Sequence, residues 1–227
     1  MNTQKNNTGA TNQNGLEVKL YQNVSKVTDE VVSNSTVGQF KYLEGHPRQY
    51  RFDAKEGIFN INGTEKLGGS ADGRTLTFQP IAWRIFTDNI LNMGTKNWAE
   101  LFFVDEKSCV SAILFHGYSV DNIFRLIEPL FYDDLTLADV VVTATAERKE
   151  NTKIQPKGVY YVANFSYRLA DPEQTKKMKA FGQSAKIFRQ ETLTDIATIK
   201  TAFNYYNPFN NPSEDLLTSN GIHLLNY

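Results

Sequence analysis

The chain is poor in the features that mark secreted and membrane proteins. Its single cysteine, Cys109, leaves no internal disulfide, which fits a reducing cytosol. It has no apolar run of the roughly 18 residues that a membrane span needs. Residues 1–15 (MNTQKNNTGATNQNG) also lack the apolar segment of a signal peptide. These absences predict a soluble, cytoplasmic protein with no membrane partner.

An excess of positive charge is also missing. The net charge is -1 at pH 7, so the chain as a whole is not a polycation. Any site for nucleic acid must therefore be a local patch. With 227 residues, 41% apolar and 22% charged, the chain can bury a sizeable core.

Motifs for catalysis and for metal binding are absent as well. The three histidines, His46, His116 and His223, lie far apart in sequence. No HExxH, CxxC, GxSxG or phosphate-loop spacing occurs. The sequence therefore predicts a protein that is not an enzyme and that needs no metal or cofactor.

What the chain does have is a readable order of strands between Arg74 and Leu169. Alternating apolar and polar residues predict strands at 75–88, 98–105, 109–119, 137–149 and 158–169, with a helix near 120–130. Ser119 is predicted to cap this helix, and Pro80 indicates an edge position or a bulge. This order predicts a mainly β fold: a small antiparallel five-stranded barrel with one helix between its third and fourth strands.

The flanking segments complete the predicted organisation. Residues 49–62 form two strands around a turn at Lys55-Glu56-Gly57, and 171–190 form a helix that Asp171 caps. A second C-terminal helix is predicted to begin at Thr192 and run through Tyr205. Residues 16–206 are thus expected to form one OB-like domain with N-terminal strands and C-terminal helices. A disordered arm, 1–15, and a flexible tail, 207–227, flank this domain.

Positive charge is concentrated in one part of the chain. Between Thr145 and Gln190 there are ten basic residues and four acidic ones, so this segment carries +6 and the remainder -7. Such a block indicates a surface for polyanions. A solvated helix face next to a charged loop explains the same block equally well.

Aromatic residues lie among these charges, and alternation assigns them to faces. Ile81, Trp83 and Ile85 are predicted to point inward, as are Tyr161, Phe165 and Tyr167 in the last strand. Outward-pointing rings can stack on unpaired bases while basic side chains contact phosphates. The residues predicted to bind nucleic acid are therefore Arg84, Phe86, Arg148, Lys149, Lys153, Lys157, Tyr160 and Arg168.

The region from Arg74 to Leu169 resembles the OB-fold single-stranded DNA-binding proteins of phages and mobile elements. The similarity lies in the strand and helix order and in the basic, polar loop from Glu150 to Gly158. It implies sequence-tolerant binding of single-stranded DNA in replication or recombination, without catalysis and without a cofactor. It leaves the oligomeric state open. If the protein is phage-encoded, its location is the host cytoplasm.

Two features leave alternatives open. Proteins of this kind usually end in an acidic tail that recruits replication proteins, whereas this chain ends with only Glu214, Asp215 and a terminal Tyr227. Recruitment of such partners by the tail is therefore an open question. The Asn-rich N-terminus and the Asn- and Pro-rich C-terminus fit equally well a structural or assembly protein of a virus or mobile element that contacts protein neighbours.

Overall fold

The computed structural model describes residues 20–21, 40–43, 45–67, 72–152, 157–185, 187–189 and 192–206. The strands are β1 (Leu20–Tyr21), β2 (Phe40–Lys41), β3 (Arg48–Asp53), β4 (Ile58–Ile61), β5 (Glu65–Lys66), β6 (Thr75–Phe78), β7 (Pro80–Asp88), β8 (Lys96–Val104), β9 (Val110–His116), β10 (Val140–Asn151), β11 (Gly158–Leu169) and β12 (Thr198–Lys200). The α-helices are α1 (Tyr118–Tyr132) and α2 (Pro172–Ser184), and short 3-10 helices lie at Ile90–Asn92, Leu137–Asp139 and Ala202–Asn204. The predicted mainly β fold is confirmed.

The strands form two main sheets and one short pair, β1–β2. The larger sheet has the order β12-β7-β8-β9-β3-β4-β5, and the smaller has the order β11-β10-β6. All pairs are antiparallel except β3 with β9. The predicted strands around Lys55-Glu56-Gly57 are present as β3 and β4.

The two main sheets meet where β6 runs into β7. Only Gln79 separates the two strands, and the register against β8 shifts between Pro80 and Ala82. This irregularity confirms the bulge predicted from Pro80. On the opposite side, the amide of Tyr161 in β11 donates to the carbonyl of Ala54, 2.7 Å away. The described strand pairs do not close the sheets into a barrel, so the barrel remains a prediction.

The larger sheet is covered on both faces. One face packs against α1 and the smaller sheet, with Trp83, Phe103 and Phe115 in the main core cluster. The other face packs against α2 and the segment after it, where Phe102 meets Phe181 and Ile187. Chain beyond α2 therefore covers a face that alternation alone left exposed.

Helix α1 differs in detail from its prediction. Its N-cap is Gly117, at φ +59, and not Ser119. Glycine adopts this left-handed conformation without steric cost. The Ser119 hydroxyl instead accepts a hydrogen bond from the Ala163 amide, 3.0 Å away. Pro129 lies within the helix and does not end it.

The described residues between 171 and 206 contain one α-helix and not the two predicted, with only a 3-10 helix at Ala202–Asn204. Asp171 caps α2 by accepting from the Gln174 amide at 2.8 Å, as the sequence indicates. The second predicted helix, 192–205, is wrong. Its centre is β12, in which Ile199 pairs with Phe86 of β7. Pairing with β7 and burial of Ile199 stabilise a strand here by more than the weak helix propensity of this segment stabilises a helix.

Several predictions lie outside the described residues. They include the disordered arm 1–15, the flexible tail 207–227 with its proposed recruiting role, and Lys153. Among the described residues, no helix is both long enough and apolar enough to cross a membrane.

Candidate nucleic-acid interface

Two residues of the predicted site, Arg84 and Phe86, are buried, so their assignment as contacts is wrong. Arg84 is 4% exposed and Phe86 is fully buried. Phe86 packs with Trp98 and Ile199, under the segment that follows α2. Alternation correctly separates the two faces of β7 from Ala82 onward, but chain from beyond α2 covers the face that was expected to meet solvent. The prediction for Ile81 is wrong: the bulge between Pro80 and Ala82 places it in the α2-side cluster and not beside Trp83 and Ile85.

Arg84 belongs to a buried ion-pair network. Its register partner on β8 is Glu100, and the two side chains approach to 2.7 Å. Glu100 also accepts from the guanidinium of Arg189 and from the hydroxyl of Thr192. The Arg84 guanidinium in turn donates to the Arg189 carbonyl at 2.5 Å. The network attaches the C-terminal segment to the sheet and encloses the Arg84 guanidinium between Glu100 and the Arg189 carbonyl.

The remaining described residues of the predicted site lie on the β10–β11 hairpin. Lys149 and Tyr160 are direct register partners and therefore share one face of the hairpin. Arg148 pairs with Tyr161 and points to the other face. Lys157 is exposed immediately before β11. The structure thus brings Lys149 and Tyr160 together and places Arg148 on the reverse side.

The face that carries Arg148 is held in place by its neighbours. The guanidinium of Arg74 lies 5.1 Å from the centre of the Tyr161 ring. Gly57, at φ +70, faces the same ring so closely that a Cβ there would collide with it. The β3–β4 turn therefore packs against Tyr161 and supports the hairpin at this residue.

Acidic side chains accompany two of the hairpin cations. Lys149 pairs with Glu147 at 2.6 Å, and Arg148 pairs with Glu150 at 2.7 Å. All four side chains are roughly half exposed. Exposed pairs of this kind are worth about 0.2–1 kcal/mol, so a phosphate can replace the carboxylate at little cost.

The basic block of the sequence does not form one surface. Lys179 of α2 pairs with Asp139, just before β10 begins, at 2.7 Å. Lys149 lies ten residues further along β10, a distance of roughly 33 Å at 3.3 Å per residue. Arg189 is part of the buried network. The charge therefore divides into a hairpin part and an α2 part at opposite ends of the smaller sheet.

Arg168 and Tyr167 lie far from the hairpin end. Arg168 is exposed, as predicted, but it is eight residues and roughly 26 Å along β11 from Tyr160. Tyr167 lies on the core face of its sheet, as predicted, because its register partner is the fully buried Val142, yet its side chain is 40% exposed. β11 is the edge strand of its sheet, and its last residues have little packed against them.

A groove between α1 and β11 unites the hairpin residues with residues that the sequence reading missed. Its central cleft, about 260 Å³, is bordered by Lys149 and Tyr160 on one side and by Tyr118, Asn122 and Arg125 of α1 on the other. A cleft of about 140 Å³ adjoins it toward Phe52 and His116. Another, of about 390 Å³, adjoins it toward Pro129 and Tyr167. Neighbouring clefts share lining residues and follow β11 for much of its length.

Side-chain hydrogen bonds hold the two walls of the groove together. The Ser119 hydroxyl accepts from the Ala163 amide, and the Asn122 amide donates to the Ala163 carbonyl at 2.9 Å. Both bonds go to the free edge of β11. Two side chains one helical turn apart thus fix α1 against a single strand residue.

The sequence does carry a signal for the α1 residues. Positions 118, 122 and 125 follow helical spacing on one face, whereas 120, 123 and 127 are buried on another. A charged and aromatic stripe on a helix next to a candidate strand marks a second wall. The position of this stripe next to β11 follows only from the contact between α1 and β11 in the structure.

Within the described residues, no three His, Cys, Asp or Glu side chains come together as a metal site requires. Comparison with protein-family models, with curated proteins and with solved structures finds no match to this chain.

Proposed function

We propose that this protein binds single-stranded DNA in a sequence-tolerant manner, without catalysis, in the cytoplasm where DNA is replicated or recombined. The observation that carries the proposal is the juxtaposition of Lys149 and Tyr160 on one face of the hairpin, at the mouth of the groove. A cation beside an accessible ring is the pairing that contacts a phosphate and stacks on the neighbouring base. Arg148 and Lys157 add positive charge around the same hairpin end.

The shape of the surface also supports single strands over duplex. The clefts, of about 140–390 Å³ each, lie along a helix and a strand edge, an arrangement that suits separate, unpaired bases. Bases in a duplex are stacked and paired, and they cannot enter such clefts one at a time. Polar Asn122 and Asn164 line the groove beside the rings. Binding by stacking is tolerant of sequence because every base has a π-face.

An OB-like interpretation of the fold accompanies this proposal. β6 and β7 act as one bent strand shared by both main sheets, and β8, β9, α1, β10 and β11 follow in chain order. The Tyr161–Ala54 hydrogen bond links the free edge of β11 to the β3 end of the larger sheet. These features support a partly open barrel in which the preceding β3–β4 hairpin pairs with β9 and contacts β11.

The proposal is tested by titrating the full chain into a labelled 30-nucleotide single strand and, separately, into duplex of the same length. We expect single-strand binding whose affinity falls steeply with salt, because bound phosphates release counterions. Duplex should bind markedly more weakly. Equal affinity for the two forms, or no binding at low salt, would overturn the proposal.

The role of the hairpin is tested by replacing Arg148, Lys149 and Lys157 together with alanine. Loss of the phosphate contacts of Lys149 and Lys157 should reduce the salt slope by about 1.4, at roughly 0.7 per phosphate for single strands, and Arg148, on the reverse face, should add little. The fold should survive, since these side chains are exposed. The matched control replaces the exposed Lys107, Lys176 and Lys177, which removes the same charge elsewhere. Equal losses in both variants would show that bulk charge and not the hairpin matters.

A second candidate, an assembly protein that contacts protein neighbours, is favoured by one specific observation. Phe131, Tyr132 and Phe203 form a partly exposed aromatic cluster at the end of α1. Phe203 lies at φ +49, a left-handed conformation that is unfavourable for a bulky residue. The fold thus keeps a strained backbone where it presents a ring to solvent.

This candidate is separated from the first by the variant Tyr132→Ala. Tyr132 lies outside the groove, so DNA binding should be unchanged. If the protein self-associates or binds a protein partner through the cluster, sedimentation of the variant should show the complex weakened. If Tyr132→Ala keeps all protein association and the wild type binds single strands, the DNA-binding function alone is favoured.

A further inference from the structure

Tyr118 is the most exposed ring along the groove, and it serves no packing role that explains its position. It is the first residue of α1 and is 67% exposed. The residues that anchor the helix in the core are others, such as Val120, Ile123 and Ile127. Tyr118 nevertheless borders both the central cleft and the cleft toward Phe52, where Tyr160 is also found. Two rings from different elements therefore flank the same opening.

The helix that carries Tyr118 is fixed relative to β11. Ser119 and Asn122 both bond to Ala163, as described above. The backbone of Tyr118 therefore has a fixed position relative to β11, the strand that carries Tyr160. Stacking depends on such preorganisation, because rings that are ordered only on binding lose conformational entropy.

We propose that α1 is the base-binding wall of the groove: Tyr118 stacks on an unpaired base, and Arg125 contacts the adjacent phosphate. This inference rests on the proposed function and adds the residues, the path and the mode of binding. The bound DNA strand runs along β11 from the hairpin end toward Tyr167 and passes Asn122 and Asn164. The wall blocks the approach of a second, paired strand.

The charges of the central cleft indicate which force dominates there. Its two cations, Arg125 and Lys149, are matched by two carboxylates, Asp121 and Glu147. The cleft therefore has little net attraction for phosphate at long range. Affinity at the wall should come mainly from stacking, whereas the hairpin supplies most of the salt-dependent part.

The test uses three variants of the full chain and the labelled 30-nucleotide single strand. Tyr118→Ala should weaken binding by about 5- to 150-fold, the loss expected for one stacked base. Its salt slope should stay near that of the wild type, because stacking releases few counterions. Tyr118→Phe should bind nearly as well as the wild type. Tyr132→Ala is the matched control, since Tyr132 lies on the same helix, is 69% exposed and faces no cleft of the groove.

Arg125→Ala supplies the complementary measurement. It should lower the salt slope by about 0.7, the value for one phosphate on a single strand. If Tyr118→Ala binds like the wild type, or Tyr132→Ala loses as much affinity, the α1 wall is overturned while hairpin binding stands. If the wild type itself does not bind single strands, both the wall and the proposed function fall.

Discussion

The β7–β8–β9 part of the larger sheet and the β10–β11 hairpin have similar aromatic and basic compositions but opposite exposures. Every residue of β7 except Thr87 is buried, and the one arginine of this strand, Arg84, forms a buried ion pair with Glu100. In the outer half of the hairpin, nearly every side chain from Glu147 onward is at least partly accessible, and its cations meet water. The two regions show that a ring beside a cation is a binding feature only where no other element covers it.

The physical cause of the difference is the layer that covers each sheet. α2 and the segment with Ile187 and Ile199 cover the outer face of β7–β9. The hairpin extends beyond β6, which pairs only with residues 142–145 of β10. Past that point β10 has one strand neighbour, and α1 leans on the β11 edge alone. The exposed end is therefore a consequence of unequal strand lengths.

The largest expected difference between the regions comes from Phe86→Ala compared with Tyr160→Ala. Phe86 is fully buried, so its truncation leaves a cavity and should destabilise the fold by about 3–5 kcal/mol. Tyr160→Ala should cost far less stability and weaken DNA binding instead. Urea denaturation measures the first effect and oligonucleotide titration the second. A stable Phe86 variant that fails to bind DNA would reverse the roles given to the two regions.

The two arginines give the next largest contrast. Arg84→Ala removes one partner of buried Glu100 and should destabilise by about 3 kcal/mol, at the low end for a broken buried pair, since Arg189 still neutralises Glu100. Arg148→Ala breaks only an exposed pair and should cost about 0–1 kcal/mol. Chemical denaturation of both variants checks this. Equal costs would mean that Arg84 is not enclosed as described.

Part of the acid sensitivity should come from the larger sheet, and part from Asp139 before β10, whose pKa is also lowered. Asp105 follows β8. Burial by itself raises the pKa of its carboxyl, but hydrogen bonds from the Cys109 amide and from Arg48 outweigh burial and leave the pKa below its usual value. Its stabilisation is therefore complete above about pH 3.9, the pKa of an unfolded aspartate, and is lost as the pH falls through the folded value.

The variant Asp105→Asn should thus cost about 1–3 kcal/mol at pH 7 for weakened bonds to a charged acceptor. The gap to the wild type should begin to narrow below about pH 3.9, where the carboxyl of the unfolded wild type becomes protonated, and close as the pH falls through the lower pKa of the folded state. Thermal melts from pH 7 to pH 3 measure the gap. A gap that is constant over this range would assign the stabilisation to something other than the charge.

The smallest expected effect sharpens the hairpin side of the comparison. Glu147→Gln frees Lys149 from its carboxylate partner and removes one negative charge from the groove. Single-strand affinity should rise by about 0.2–1 kcal/mol, the worth of an exposed pair. The control Glu173→Gln removes the same charge from α2, at the opposite end of the smaller sheet. If both variants gain equally, the gain is a bulk charge effect.

Much of the strand order follows from the sequence, because strands with one buried face alternate. The same reasoning fails for β7, although a sign of the failure was present. Ile81, Ala82, Trp83, Ile85 and Phe86 form a nearly continuous apolar run, which is typical of a strand that is covered on both sides. Glu100 within the apolar WAELFFV segment likewise indicates a strand that is covered on both sides, since a lone charge in such a run needs a buried partner.

The candidate site could be predicted only in part. Lys149 follows from the local concentration of positive charge and Tyr160 from alternation along its strand, but that the two are paired is known only from the register in the structure. Tyr118 and Arg125 could not be placed, because the position of α1 depends on hydrogen bonds to Ala163, some 40 residues later in the chain. Long-range contacts of this kind leave no local pattern.

The cover of the larger sheet also affects how the protein is made. Phe86 and Trp98 emerge from the ribosome well before Ile199, which packs over them. At 5–20 residues per second, the intervening residues, about 100 of them, take roughly 5–20 s to synthesise. During that interval the nascent chain presents an uncovered aromatic sheet face. The order of elements therefore leaves this face of β7–β9 uncovered until the C-terminal segment is made, and truncation before α2 should expose it and favour aggregation.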